Sequence, residues 1–219
     1  MNDGEFKRVL VWRGWLRLSH WSIAAAVLVA GVTGWQLGAG VPVSAALMDV
    51  HYYAASLLAF GLALRLVLMF VGREHERLGG LLPNAGEWRA AGAMLRFYLS
   101  AGKAPLPRWY AQNPLWKPIY LLVYVVLALQ VLTGSLMQDY PIVLRFYLPA
   151  VHAFWAQALF WFSVLHIAAV ALHDLKGKTA DVSAMINGYR LFFIDRSRLP
   201  VADEQPLRFV VRDDKDKPG

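Results

Sequence analysis

The chain has 219 residues, of which 58% are hydrophobic and only 17% charged, and its mean hydropathy is +0.40. Those values exclude an ordinary soluble domain. The net charge of +7 and pI near 9.8 do not point to nucleic acid, because in a membrane chain an excess of Lys and Arg marks cytoplasmic loops, and the absence of cysteine removes disulfides, thiolate zinc, iron–sulfur clusters and covalently attached haem.

The expectation is a single integral membrane domain, residues 1–219, with four spans. Basic residues ahead of an apolar run imitate a signal peptide at the N-terminus, but the run continues through Leu37 and is long enough to span, so cleavage is not expected. Span one covers Ser19–Leu37, preceded by Lys7, Arg8, Arg13 and Arg17, with Trp12, Trp15 and Trp21 as an aromatic belt and Trp35 at the far end. Gly38–Asp49 has no Lys or Arg and is assigned outside. Span two covers Val50–Val71 and is interrupted only by Arg65.

A long loop, Gly72–Lys117, carries seven basic residues and is assigned to the cytoplasm. Within it, Glu87–Ser100 reads as a helix whose Trp88, Met94, Leu95, Phe97 and Tyr98 can rest on a membrane surface or a partner, with Arg89 and Arg96 on the wet side; an ordinary solvated connector fits the same residues. Pro105, Pro107 and Pro114 lead into span three, Pro118–Met137, which has no ionisable side chain apart from tyrosines and reads as a packing helix. Gln138–Ala150 carries one basic residue, Arg145, and span four covers Val151–His173. Four basic residues before span one, seven in the long loop and nine after span four oppose one in the outer links, which predicts both termini in the cytoplasm. The tail from Thr179 is expected to fold briefly against the inner surface and then fray. No internal repeat is evident.

Four of the six histidines, His20, His51, His152 and His166, fall in or at the edges of spans, where ionisable groups are costly and therefore functional candidates. His152 and His166 are fourteen residues apart, a step that returns to nearly the same helix face, off by about 40°, after climbing about 21 Å. Topology sorts the four by depth: His20 with His166 near the inner side, His51 with His152 near the outer side. Two imidazoles facing each other from different helices can clamp a haem iron without a covalent link, and two such pairs imply two haems b stacked along the membrane normal. The same fourteen-residue step leads from His51 to Arg65 and from His20 to Gly34. Arg65, with Arg17, is the candidate cation for haem propionates, and Gly34 leaves room for a porphyrin plane, although Gly34 and Gly38 also form a GxxxG spacing suited to helix contact. His75, in the polar run GREHER, reads as a solvated loop residue.

The motifs RLSHW and TGW in span one, LRLVLMFVG after His51, QNPLWKPIYLLVYVVLALQVLTG through span three, and HAFWAQALFWFSVLHIAAVALHDLKG followed by AMINGYR resemble the prokaryotic cytochrome b561 family, nearest its branch of b-type cytochrome subunits of nickel–iron hydrogenases. The resemblance covers about residues 8–191. It implies an all-α, four-helix membrane bundle in a bacterial inner membrane, with two haems b, His20 pairing with His166 and His51 with His152. Gln112 departs from it, standing where the family favours histidine before Asn-Pro, and this bears on loop or partner contacts only.

The implied activity is an electron relay between a periplasmic redox enzyme or c-type cytochrome and the quinone pool. His173, Asp174 and Lys176, at the inner end of span four, are candidates for proton delivery to quinone, although anchoring of the helix end is the simpler account of them. Two other readings stand beside this one. A stand-alone cytochrome could oxidise a small molecule such as superoxide, and a proton-coupled transporter could use the histidines as a relay, although transporter sites show broken helices and internal pseudo-symmetry. Oligomerisation is left open.

Overall fold

A computed structural model describes residues 4–39, 44–73, 75–176 and 181–195. Four helices carry the chain back and forth: α1 (Gly14–Gly38), α2 (Ala45–Val71), α5 (Trp116–Leu136) and α6 (Leu148–Lys176), each long and apolar enough to cross a bilayer. Shorter elements occupy the two ends: β1 (Gly4–Leu10), α3 (Leu78–Leu81), α4 (Ala85–Leu99), α7 (Asp181–Asn187) and β4 (Tyr189–Asp195) at one, and the hairpin strands β2 (Ile142–Val143) and β3 (Phe146–Tyr147) at the other. The first is called here the basic end and the second the hairpin end. The expected spans lie within or nearly on these helices; hydropathy finds their apolar stretches, whereas local capping sets where they stop. Ser44, for instance, starts α2 by accepting a hydrogen bond from the Leu47 N–H at 3.1 Å.

α1 lies along α2, α2 also meets α5, and α5 lies along α6. α1 and α2 meet closely at Gly61, where a Cβ would stand 3.0 Å from side-chain atoms of both Ser22 and Ile23. The Gly61 carbonyl accepts a 2.9 Å hydrogen bond from the buried Ser19 hydroxyl. Gly38, by contrast, has no described atom within 4 Å of such a Cβ, so no helix packs against Gly38 among the described residues. The core at mid-depth is Ala26, Leu58, Leu62, Val126, Leu127 and Leu159, one layer contributed by all four helices. Elsewhere large apolar side chains such as Leu28, Trp35, Phe70 and Leu165 point outward, as a bundle solvated by lipid requires.

At the basic end the structure corrects two expectations and adds one pairing. β1 and β4 pair antiparallel, with Arg8 opposite Leu191 and Leu10 opposite Tyr189, so the basic leader joins the briefly folded start of the tail in one two-stranded sheet, a pairing that the sequence does not announce. Gly188 makes the junction: its φ is +90°, its carbonyl accepts from the N–H groups of Val11 and Trp12 at 2.9 and 3.0 Å, and a Cβ there would meet the Trp12 oxygen at 2.5 Å. Residues 196–219 lie outside the described residues.

His75 is not a solvated loop residue. It is half-buried, donates its Nε2–H to the Val11 carbonyl at 2.6 Å, and meets Trp12 edge-on with ring centroids 5.5 Å apart. The Gln112 side chain donates to the His75 carbonyl at 2.5 Å, which gives the residue that departs from the family pattern a loop-locking contact.

The amphipathic loop segment is α4, opened by a reciprocal Asn84–Glu87 capping box and closed by a Schellman turn, with the Gly102 N–H donating to the Phe97 carbonyl and the Ala101 N–H to that of Tyr98, both at 2.9 Å. Ala91, Met94 and Phe97 are buried, while Trp88, Leu95 and Leu99 are exposed. The expected apolar set is thus divided between two faces, and one of them packs onto the protein. Glu87 also pairs with Lys117, Nζ to Oε1 at 2.5 Å. Burial alone would push the Glu87 carboxyl up, but the Lys117 hydrogen bond, the Asn84 N–H and the Lys117 charge outweigh it and hold the group below its usual value. Lys117 is buried in the first turn of α5, so that helix is less bland at its start than its apolar sequence suggests.

Candidate functional site

The four span histidines form two pairs. His51 of α2 faces His152 of α6 with ring centroids 6.4 Å apart and planes at 67°, and His20 of α1 faces His166 of α6 at 6.4 Å and 55°. Seven residues along from His51 and from His152 lie Leu58 and Leu159, members of the buried apolar layer. That layer separates the pairs, which fourteen helical residues set about 21 Å apart.

Local structure around the hairpin-end pair is built twice. Thr33 of α1 places its Oγ1 2.8 Å from His51 Nδ1, and Thr133 of α5 places its own 2.9 Å from His152 Nδ1. Each hydroxyl donates its single hydrogen to a carbonyl one turn back, Val29 at 2.8 Å and Leu129 at 2.6 Å. The next residue in each helix is glycine, and a Cβ on Gly34 would lie 3.4 Å from His51 Cε1, one on Gly134 3.2 Å from His152 Cε1. In both cases the Thr–Gly step lets the imidazole lie close against the neighbouring helix.

This is an internal repeat, contrary to the expectation from sequence. The α1–α2 hairpin and the α5–α6 hairpin each present Thr-Gly on the first helix and histidine near the start of the second. Extending the correspondence fourteen residues toward the basic end aligns His20 with Tyr120, and Arg65 with His166. Tyr120 meets the His166 ring edge-on at 6.2 Å, so the second hairpin carries a tyrosine in the position that the first gives to a facing histidine.

At the basic end His166 stacks on Phe162, centroids 5.7 Å apart and planes at 14°, and meets the edge of Trp116 at 5.9 Å. His20 Nδ1 is buried and has no hydrogen-bond partner among the described residues.

The residues fit a metal held between each pair. A metal–imidazole nitrogen bond of about 2 Å, with about 1.1 Å more from nitrogen to ring centre, would separate the centroids of two imidazoles facing each other across one metal by about 6 Å, close to the observed 6.4 Å in both pairs. Among the described residues no three His, Asp or Glu are grouped to hold a bare ion. Haem iron needs only two protein ligands, because the porphyrin supplies four.

Comparison with known proteins agrees with this chemistry. A family model described as prokaryotic cytochrome b561 matches residues 11–188. The chain belongs to that family. It is similar to probable Ni/Fe-hydrogenase B-type cytochrome subunits from Azotobacter vinelandii, at 29% identity over 89% of this chain and 95% of the relative. Those of Azotobacter chroococcum (28%, with the same coverage) and Cupriavidus necator (27% over 86% of this chain and 89% of the relative) are also similar. No solved structure gives a significant match. The protein is therefore a multi-pass, electron-transfer membrane cytochrome, and its family implies b-type haem.

The remaining candidates in this cytochrome are distributed as follows. Arg65 does not snorkel: it is 3% exposed, donates from Nε to the Tyr124 hydroxyl at 3.0 Å and from Nη1 to the Glu76 carbonyl at 2.7 Å. Glu76 is itself fully buried, its Oε2 accepting from the Arg73 N–H at 2.9 Å and lying 3.9 Å from Arg13 Nη1. Arg17 donates from Nη1 to the Ile186 carbonyl, and its buried Nε has no partner among the described residues. His173, Asp174 and Lys176 separate: His173 is buried against Phe97, Tyr98 and Trp109, whereas Lys176 is exposed beside Gly102.

The Tyr98 hydroxyl accepts from Trp116 Nε1 at 2.8 Å and Asn113 Nδ2 at 3.2 Å. It stands 2.7 Å from His173 Nε2, tying α4 to the end of α6. A cavity of about 420 Å³ opens nearby at the basic end, lined in part by His75, Glu87, Trp109, Gln112 and Lys117.

Thr33, Thr133, Gly134 and Tyr124 do not stand out in the sequence as site residues, and Tyr98 stands out there only as part of an apolar face. For the first three a signal existed: two Thr-Gly steps 100 residues apart beside two histidines 101 apart.

Proposed function

We propose that this cytochrome binds two haems b, one between His20 and His166 and one between His51 and His152, and relays electrons between a periplasmic redox enzyme and quinone. Both termini and the basic end face the cytoplasm in this reading, as the distribution of Lys and Arg favours. The observation that carries it is the equal 6.4 Å spacing of two facing imidazole pairs across an apolar layer. Bound at those positions, haem supplies one-electron transfer at two depths.

The chain's own part is to hold the imidazoles face to face, keep water out of the layer between the pairs, and deliver protons where a quinone is reduced. The names of the curated relatives favour a Ni/Fe-hydrogenase as the redox enzyme. A large metalloenzyme that co-purifies with the protein supports that partner, and a stand-alone superoxide-oxidising cytochrome needs none. The two hairpins repeat, as those of a transporter can, but the four long helices run without a break over their described lengths, which favours an electron relay over a transporter.

Quinone, the substrate, is assigned to the basic end, with His173, Asp174 and Lys176 as the proton-delivering candidates. Asp174→Asn removes the one carboxylate of the three. In rapid mixing of the dithionite-reduced protein with a soluble quinone, this variant is expected to keep its haem content and reoxidise about 100-fold more slowly, the low end of a general acid's usual contribution. An unchanged rate removes Asp174 from the site.

A further inference from the structure

The two pairs are not equivalent. At the hairpin end both imidazoles are hydrogen-bonded through Nδ1 to a threonine hydroxyl, whereas at the basic end His20 Nδ1 is buried without a partner among the described residues. We propose that Thr33 and Thr133 are positioning residues which fix His51 and His152 as Nδ1–H donors and so hold the hairpin-end haem at a lower potential than the basic-end haem. This inference rests on the haem reading above and goes beyond it by giving the relay a built-in direction.

The proton positions follow from hydrogen-bond inventory. A threonine hydroxyl has one hydrogen, and a carbonyl oxygen only accepts. Thr33 Oγ1 is 2.8 Å from the Val29 carbonyl and Thr133 Oγ1 is 2.6 Å from the Leu129 carbonyl. Each hydroxyl hydrogen goes to that carbonyl, and the oxygen is left as an acceptor. The imidazole must then donate from Nδ1, which leaves the lone pair of Nε2 free for a metal. A hydroxyl that donates elsewhere is also a better acceptor, since consecutive hydrogen bonds polarise one another.

Donation from the far nitrogen of a metal-ligating histidine fixes its tautomer and ring orientation and makes it a more basic ligand. A more basic ligand stabilises the oxidised, more positive iron and lowers the reduction potential. Two such bonds act on one iron at the hairpin end. An electron arriving there is offered a downhill step to the basic end, the direction in which a quinone at that end is reduced.

The glycines complete the device. With Cβ positions only 3.4 and 3.2 Å from the two imidazole Cε1 atoms, a larger residue at 34 or 134 would push the ring off its hydroxyl, so Thr-Gly works as a unit in both helices.

The test is a redox titration of the purified full-length protein, resolving two components, for Thr33→Val, Thr133→Val, the double variant and the corresponding serine variants. Valine keeps the shape of threonine and removes the acceptor. The wild-type component of lower potential is expected to be the one lost in His51→Ala or His152→Ala. Each valine variant is expected to raise that component, the double variant to raise it most, and the other component to stay in place with haem content unchanged. Serine returns it toward the wild-type value. Loss of that haem in the valine variants but not the serine variants also supports a hydroxyl role. The inference is overturned if two haems are retained and the lower component does not move, if both components move together, or if serine behaves as valine does. A wild-type protein without two haems would instead overturn the reading on which the inference rests, and haem content measured in the same samples tells the two failures apart.

Discussion

Replacing His20 or His166 by alanine is expected to remove the same haem, taking each chain from two to one and leaving the same absorbing component in both variants. Replacing His51 or His152 is expected to remove the other. Each iron would take one ligand from α6 and one from α1 or α2, as the facing of His166 with His20 and of His152 with His51 requires. A ferric or ferrous iron left with one imidazole loses half of its protein ligation, and in a non-covalent site that loosens the whole group. Pyridine haemochrome quantification and low-temperature difference spectra read the outcome. Loss of the same component from His20→Ala and His51→Ala would contradict the pairing.

The second large effect is expected at Arg65. Its guanidinium joins α2 to α5 through the Tyr124 hydroxyl and α2 to the following loop through the carbonyl of the fully buried Glu76. Alanine removes two hydrogen bonds from a charged donor and leaves their acceptors buried, a loss of about 3 kcal/mol. For a chain of this size that corresponds to a fall of roughly 10 °C in Tm. Lysine is expected to recover only part of it, because a single ammonium cannot reach both acceptors as a guanidinium fork does. Thermal unfolding in detergent checks this, and an unshifted Tm for Arg65→Ala would show that the cluster contributes nothing to stability.

Sequence and structure agree where the determinant is local or periodic. The spans are written in runs of apolar residues, and the depth of each histidine follows from the helical rise, so the two facing pairs could be anticipated from the spacing between His152 and His166 and from the order of the spans. What escaped has a non-local cause. β1 and β4 meet across more than 170 residues, and neither strand carries an alternation that names its partner. His75 sits in a polar run and yet is half-buried, because Val11 and Trp12 come back to meet it. Met94 and Phe97 parted from Trp88 and Leu95 because one face of α4 found the protein; composition alone could not say which face would. Thr33 and Thr133 look like packing residues in an apolar helix, and only the neighbouring imidazoles show them to be hydrogen-bond acceptors. Gly34 was legible as a position needing space, but the group against it is the His51 ring rather than another helix.

Haem stoichiometry and spin state of the purified, unmodified protein test the central claim most directly. Two b-type haems per 24.5 kDa chain, both low-spin as two strong imidazole ligands require, are the expected result. One haem per chain, or a high-spin iron with an open coordination position, would contradict the account of two imidazole pairs each gripping an iron.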